Sequence, residues 1–218
     1  MLVIDTNTSC KGFGPWLKSQ GVTAIGRYYG ATTNNKDLLD AEEAKELCRN
    51  GMRIFVVFED HSQPNLTLTP EQGTADAKVA LKMAGDIGQP PGTAIYFSVE
   101  GNYDQTDIAN IESYWSGITD TVAGKYALGV YGSGLVCSTL LNKPACKYTW
   151  VAAASTDWQG TCSFFGGKTP MWHLAQVPPL DMNWKDNRGK TLSVDINLIN
   201  PPRYNSDFGD FVVPTPAV

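Results

Sequence analysis

The amino-acid sequence predicts one α/β domain: a TIM-type (β/α)8 barrel with shortened or missing helices in its second half. Eight short apolar runs alternate with amphipathic or turn-rich segments along the 218 residues. A complete barrel of this type needs roughly 250 residues, so part of the helical layer must be reduced. Asp5, Glu100 and Asp195 each occupy the last position of an apolar run. In a parallel barrel these positions meet at one open end, where functional side chains collect.

The predicted strands are rich in Val, Ile, Phe and Tyr and alternate only weakly between apolar and polar residues. Such composition is typical of strands buried on both faces, and it favours parallel pairing through crossover helices. The strands are placed at residues 2–5, 23–28, 53–58, 94–100, 126–131, 149–153, 171–176 and 192–196.

Three helices are predicted in the first half of the chain, at residues 40–50, 69–87 and 104–123. The second opens with Thr69-Pro70-Glu71-Gln72, a helix N-cap followed by proline at the first helical position. The helix after Gly132-Ser133 is expected to be short. The connections after Ala153 and Gln176 contain many Gly, Pro and Asn residues and are expected to be loops.

The barrel is assigned to residues 1–200, and residues 201–218 are predicted to be a Pro-rich tail or linker. The proline content fits an extended segment that leads to another module or lies on the barrel surface. No secretory leader is visible in this sequence, so export by another route or loss of a leader both stay open.

Composition excludes several classes of function. The net charge is −5, and the 17 basic residues form no cluster, which argues against a nucleic-acid partner. No apolar stretch approaches the roughly 20 residues of a membrane span. The cysteines lack zinc-site spacing, so no metal is expected. Residues 129–134 lack the spacing of a phosphate-binding loop, and no cofactor is expected. Cys137 and Cys146 bracket a short segment, and both a disulfide and two buried thiols are compatible with that spacing.

The three strand-end acids predict a site for glycosidic cleavage, which commonly uses one protonated carboxyl group and one carboxylate. Glu100 is the candidate general acid, because neighbouring aromatic residues can desolvate it. Asp5 and Asp195 are candidates for stabilising charge or activating water. A single strand-end Asp is equally well explained as a turn or helix cap. Sugar stacking and hydrogen bonding are assigned to Tyr28, Tyr131, Trp172 and Gln176.

The order of the strand-end motifs resembles the glycoside hydrolase family 25 muramidases. The resemblance is closer to their relatives, the glycoside-hydrolase-like domains of domain-of-unknown-function family 1906, and it covers residues 2 to about 200. The motifs are short individually and specific in combination: Val3-Ile4-Asp5-Thr6, Arg27-Tyr28-Tyr29, Ile95-Tyr96-Phe97-Ser98-Val99-Glu100, Gly129-Val130-Tyr131-Gly132-Ser133, Trp172-His173-Leu174-Ala175-Gln176 and Val194-Asp195-Ile196-Asn197.

The resemblance implies a secreted or periplasmic enzyme acting on peptidoglycan or a related glycan, with antibacterial or lytic use. By position, Asp5, Glu100 and Asp195 match the family's acids after the first, fourth and eighth strands. The resemblance leaves open two further partners: an additional module of the same protein and an inhibitor protein.

One position departs from the family pattern. The muramidases carry Asp-x-Glu on the fourth strand, whereas this chain has Ser98-Val99-Glu100. Glu59 and Asp60, which follow the third strand, are the candidates to replace the missing acid and line the same open end. Two functions therefore stand: a lysozyme-like N-acetylmuramidase, and a catalytically weak barrel that binds cell-wall glycan or acts as a scaffold.

Overall fold

The predicted barrel is confirmed. A computed structural model describes residues 1–31, 36–62, 66–143, 145–168, 170–200 and 207–214. Eight strands close a barrel in the order β1 to β8, each paired with its neighbours in the sequence and β8 paired with β1. The strands are β1 (Leu2–Asp5), β2 (Val22–Tyr29), β3 (Arg53–Phe58), β4 (Ala94–Val99), β5 (Ala127–Gly132), β6 (Cys146–Val151), β7 (Leu174–Lys185) and β8 (Thr191–Ile199).

The helical layer is substantial in the first half and thin in the second, as predicted. Thr69 caps its helix by accepting a hydrogen bond from the Gln72 amide at 3.3 Å. The segment 161–166 is a short helix and not the loop expected after Ala153. The helices are α1 (Gly14–Ser19), α2 (Ala41–Arg49), α3 (Pro70–Ile87), α4 (Ile108–Val122), α5 (Gly134–Leu141) and α6 (Thr161–Gly166), and a 3-10 turn (Gln105–Asp107) precedes α4.

The last strand runs antiparallel to both neighbours, so the expectation of parallel pairing is wrong for β8. The segment after Gln176 is also not a loop, because β7 continues to Lys185 and returns through a tight turn into β8. A connection this short can join only antiparallel strands, since a parallel pair needs a crossover of a dozen or more residues. The Asp186 carboxylate fixes the turn by accepting hydrogen bonds from the amides of Arg188 and Lys190, both at 2.9 Å.

Large aromatic side chains fill the barrel interior. The Trp150 ring lies edge-on to Phe55 and Tyr131, with centroids 5.2 and 4.8 Å away. Glycine provides the room for such packing: a Cβ atom at Gly129 would lie 2.5 Å from the Tyr96 ring. A second apolar layer lies between the strands and the helices and includes the other faces of the same strands. The interior is therefore a packed core rather than a channel.

Residues 207–214, within the predicted tail, cover the end of the barrel where β3 and β4 begin. Phe208 is buried and packs edge-on against Phe55, while its carbonyl accepts a 2.7 Å hydrogen bond from the Tyr96 hydroxyl. Phe211 forms an antiparallel bridge with Ile54. This segment closes the lower end of the barrel, and the acids collect at the upper end, which we call the mouth.

The five cysteines are all free thiols, including Cys137 and Cys146, which are both buried. The structure therefore contains the two buried thiols and not the disulfide. Among the residues that the structure describes, no helix is long and apolar enough to cross a membrane.

Candidate active site

Asp5 is the centre of a hydrogen-bond network in the mouth. Its carboxyl group is almost completely buried, with the residue 1% exposed. It accepts hydrogen bonds from Asn197 Nδ2 at 2.7 Å, from Gln176 Nε2 at 3.2 Å and from the Tyr28 hydroxyl at 3.2 Å. These donors come from β8, β7 and β2, so three strands hold the carboxyl group at the end of β1.

Asp195 lies directly across from Asp5 in the ladder between β8 and β1. The Gln176 amide bridges the two carboxyl groups, donating to Asp195 Oδ2 at 3.1 Å as well as to Asp5. Its own oxygen accepts a 2.9 Å hydrogen bond from the Tyr131 hydroxyl, which fixes the orientation of the amide. The Asp181 backbone amide donates to the other Asp195 oxygen at 2.6 Å.

The two aspartates are held as a coupled pair. Burial, followed by the charge of Asp195, raises the pKa of Asp5 to about 7, although hydrogen bonds from Asn197, Gln176 and Tyr28 oppose this rise. Burial also raises the pKa of Asp195, while the Asp181 amide opposes it. Ionising both groups together is unfavourable because their charges repel in a weakly polar site. The pair therefore takes up a proton near neutral pH.

Glu100 lies just beyond the end of β4 and is partly buried. Burial, then the negative charge of Glu59, raises its pKa to about 7, and the nearby Lys36 ammonium opposes this shift. The charge of Glu100 in turn contributes to the raised pKa of Tyr131 in the mouth. Glu100 therefore retains a substantial protonated fraction at neutral pH, which a general acid requires.

Glu59 and Asp60 have different surroundings. The Glu59 carboxylate forms an ion pair with Lys36 at 2.6 Å, and its charge acts on Glu100. Asp60 accepts a 2.9 Å hydrogen bond from the Ala31 backbone amide, and its charge acts on Asp76 of α3. Glu59 and Glu100 thus follow the paired strands β3 and β4 and interact through their charges, whereas Asp60 interacts with the Ala31 backbone and with the helical layer.

Ser98 occupies the position where the resembling muramidases carry an acid. It follows Tyr96 on the interior face of β4, pairs in register with Tyr131 and is 3% exposed. Its hydroxyl has no hydrogen-bond partner among the residues that the structure describes. Ser98 therefore contributes an uncharged polar group to the mouth.

Three aromatic residues were predicted to contact the sugar, and the structure places two of them in the mouth and one outside it. Tyr28 and Tyr131 bond to the carboxyl network through Asp5 and Gln176. Trp172 instead packs against Phe165 of α6, with ring centroids 5.4 Å apart, and its indole donates to the Phe165 carbonyl at 2.9 Å. Because Trp172 precedes β7 and belongs to the outer apolar layer, its assignment to sugar stacking is corrected.

Two residues of the mouth were absent from the predicted site. Asn197 lies two positions after Asp195, so the alternation of strand side chains places both on one face and was a usable signal. Lys36 comes from the connection before α2, and neither its spacing nor its neighbours in the sequence predict its contact with Glu59. Within the described ranges, no group of three or more His, Cys, Asp or Glu side chains could hold a metal ion.

Residues 15–197 match the family described as Rv2525c-like, glycoside hydrolase-like domain. The chain belongs to this family. A curated relative, the uncharacterized protein FadG of Bacillus subtilis (strain 168), is 26% identical over 187 residues, which cover 82% of this chain and 30% of FadG. The chain therefore corresponds to less than a third of that relative's length.

Solved structures share the fold at low sequence identity. The Tat-secreted protein Rv2525c of Mycobacterium tuberculosis, solved with L-tartrate, superposes with a TM-score of 0.73 at 20% identity, covering 96% of this chain and 98% of that one. GHIP, a glycosyl hydrolase 25 of Streptococcus pneumoniae, superposes with a TM-score of 0.58 at 14% identity, covering 94% and 89%. The resemblance noted in the sequence motifs is thereby confirmed, and the chain is a glycoside hydrolase-like domain.

Proposed function

We propose that the protein is a peptidoglycan hydrolase, a lysozyme-like N-acetylmuramidase that uses Glu100 as its general acid. The observation that carries this proposal is the state of Glu100, a partly buried carboxyl group at the mouth whose pKa is raised to about 7. A carboxyl group that keeps its proton near neutral pH can protonate the oxygen of a leaving sugar.

The Asp5–Asp195 pair supplies the second function that glycosidic cleavage requires. The pair carries negative charge once it has lost one proton, and this charge stabilises the positive charge that develops on the sugar ring. Gln176 and Asn197 fix the positions of the carboxyl groups, so little rearrangement is needed when charge develops. We assign contacts with the sugar to Tyr28, Tyr131 and Gln176, because all three belong to the hydrogen-bond network of the mouth.

The choice of substrate and location follows from the relatives. GHIP is a glycosyl hydrolase 25, and the strand-end motifs of this chain resemble the muramidases of that class. Rv2525c is a Tat-secreted protein. We therefore assign this domain to bacterial cell-wall glycan outside the cytoplasm. Because FadG is more than three times as long as the matched region, additional modules are proposed for the whole protein.

The test is the release of reducing sugars from purified peptidoglycan by the wild type and by Glu100→Gln. Glu112→Gln is the matched control, because Glu112 lies on α4 and pairs with Lys143 at 2.7 Å outside the barrel. Mass spectrometry identifies the new ends. We expect muramic reducing ends from the wild type and the control, and a loss of at least about 100-fold in Glu100→Gln. Equal release by Glu100→Gln would remove Glu100 from the mechanism.

The second candidate is a barrel that binds glycan without turnover, and the uncharged Ser98 favours it. In that case the wild type releases no reducing ends from peptidoglycan, yet it still binds peptidoglycan in a pull-down assay. Replacing Tyr131 by alanine in the mouth then weakens this binding, whereas replacing Trp172 by phenylalanine outside the mouth does not.

A further inference from the structure

The acids of the mouth form two groups, one where β1 pairs with β8 and one where β3 pairs with β4. Asp5 and Asp195 form one pair, bridged by Gln176. Glu100 and Glu59 form the other, since they follow the paired strands β4 and β3 and the charge of Glu59 acts on Glu100. The two aspartates accept hydrogen bonds from several side chains and from one backbone amide. The second pair has a different partner, the ammonium group of Lys36.

Lys36 makes three contacts on the Glu59 side of the mouth. Its ammonium lies 2.6 Å from Glu59 Oε1 and also donates to the Glu59 backbone carbonyl at 2.6 Å. The same group lies 5.4 Å from the centre of the Tyr28 ring, within the range of a cation–π contact. The Lys36 side chain is only 10% exposed, so these contacts are shielded from solvent.

The backbone on both sides of this contact is anchored. Glu59 extends the β2–β3 ladder, because its amide donates to the Tyr29 carbonyl at 3.0 Å. Next to Lys36, the Asp37 carbonyl accepts a 2.9 Å hydrogen bond from the Arg27 guanidinium. Arg27 is itself fully buried and paired with Glu43 at 2.6 Å. The backbone next to Lys36 is therefore held in place by Arg27, and the Lys36 side chain extends from it to Glu59.

Ser98 leaves the β4 side of the mouth without a second acid. Its hydroxyl is buried, uncharged and without a hydrogen-bond partner among the described residues. Ser98 therefore places no negative charge near Glu100 and forms no hydrogen bond with it. Glu59, directly after the neighbouring strand β3, supplies the negative charge there. We infer that Lys36 is a positioning residue that holds the Glu59 carboxylate beside Glu100, so that Glu59 replaces the acid absent at position 98. This inference rests on the proposed function for its catalytic meaning.

The titratable and charged groups around Glu100 come from four segments. Glu59 follows β3, Lys36 precedes α2, Tyr103 lies in the connection after β4, and Tyr131 lies on β5. The pKa values of both tyrosines are raised, mainly by burial, so they stay neutral near pH 7. Burial is the main cause of the raised pKa of Glu100, and the charges of Glu59 and Lys36 modify it in opposite directions.

The experiment is a direct titration of the Glu100 carboxyl carbon by NMR in protein labelled with carbon-13 at the glutamate carboxyl groups. The resonance is identified by its loss in Glu100→Gln. We expect Glu59→Gln to lower the pKa of Glu100, because it removes a nearby negative charge. In a Lys36→Met background nothing holds the Glu59 carboxylate beside Glu100, so Glu59→Gln should then lower the pKa of Glu100 much less. Lys36→Arg keeps the ion pair and should restore the full effect of Glu59→Gln. Thermal unfolding confirms that each variant is folded.

Lys143→Met is the matched control, because it removes the lysine of a Lys–Glu ion pair outside the barrel, at a similar distance of 2.7 Å. It should leave the titration of Glu100 unchanged. If Glu59→Gln leaves the pKa of Glu100 unchanged, or lowers it equally in the wild-type and Lys36→Met backgrounds, the inference is wrong even where the wild type cleaves peptidoglycan. A shift that depends on Lys36 but comes without any cleavage would support the positioning of Glu59 and reject the proposed hydrolase. The two failures are therefore distinguishable.

Discussion

Replacing Glu100 by glutamine is expected to stabilise the folded protein at alkaline pH and to leave its stability unchanged at acid pH. A buried carboxyl group that is suited to donate a proton is costly to ionise in the folded state. Glutamine has nearly the same shape and cannot ionise, so the variant avoids this cost. The same substitution that removes the proposed general acid should therefore make the fold more stable.

The magnitude follows from the raised pKa of Glu100. The value rises from 4.5 to about 7, and each pH unit corresponds to about 1.36 kcal/mol of free energy, which gives about 3 kcal/mol. Glu100 is partly exposed, and solvent screening reduces the expected effect to about 2 kcal/mol. This is a large fraction of the stability of a typical domain.

The sign follows from proton binding in the two states. Between the unfolded and the folded pKa values the native protein holds a proton that the unfolded chain has lost, so wild-type stability falls as the pH rises through this range. Below the unfolded value both states are protonated and no difference remains. The gain in the free energy of unfolding of Glu100→Gln should therefore be near zero at about pH 4 and complete at about pH 9.

Urea denaturation of the wild type, Glu100→Gln and Glu112→Gln across this pH range measures the difference directly. The Glu112 variant is the control, since that carboxylate is partly exposed outside the barrel and pairs with Lys143. A Glu100→Gln protein that is equal to or less stable than the wild type at alkaline pH would refute the claim that Glu100 is buried at a cost.

Three further predictions concern the mouth and the core. Asn197→Ala removes a donor that lowers the pKa of Asp5, so Asp5 should stay protonated to higher pH in an NMR titration; a lower pKa would contradict the network. Gly129→Ala should cost about 2 kcal/mol in urea denaturation, because its Cβ would lie 2.5 Å from the Tyr96 ring; a neutral effect would show that the ring can move. Tyr96→Phe leaves the Phe208 carbonyl without its 2.7 Å hydrogen bond and should also cost about 2 kcal/mol; hydrogen exchange at residues 207–214 should rise, and unchanged exchange would argue against a closed lower end.

Local sequence patterns were sufficient for the longer elements. β3 and β4 could be predicted because β-branched and aromatic runs of that length fit buried strands. The start of α3 could be predicted because Thr69 and Pro70 are specific helix-start residues. In contrast, α6 has only six residues, too few for a hydrophobic period to be read reliably. Short helices of this kind are stabilised by tertiary packing, which local propensity does not reveal.

The end of the barrel shows where a local pattern misled the prediction. Pro178 and Pro179 read as strand breakers, yet β7 continues past them as an exposed, bulged part of a hairpin. The return strand is consequently antiparallel, and Asp195 reaches the mouth from the middle of β8 instead of from its end. The alternation of Met182 and Trp184 with polar residues was the available signal for this extension.

The sequence by itself determined the barrel, the family and the acids of the mouth, because strand composition and strand-end motifs are local properties. The tertiary structure decided which groups control those acids. Asn197 reaches Asp5 across 192 positions, and Lys36 reaches Glu59 across 23. Barrel closure through β1 and β8 brings Asn197 to Asp5, and the pairing of β2 with β3 brings Lys36 to Glu59. The resulting burial and charge set the proton affinity of each carboxyl group.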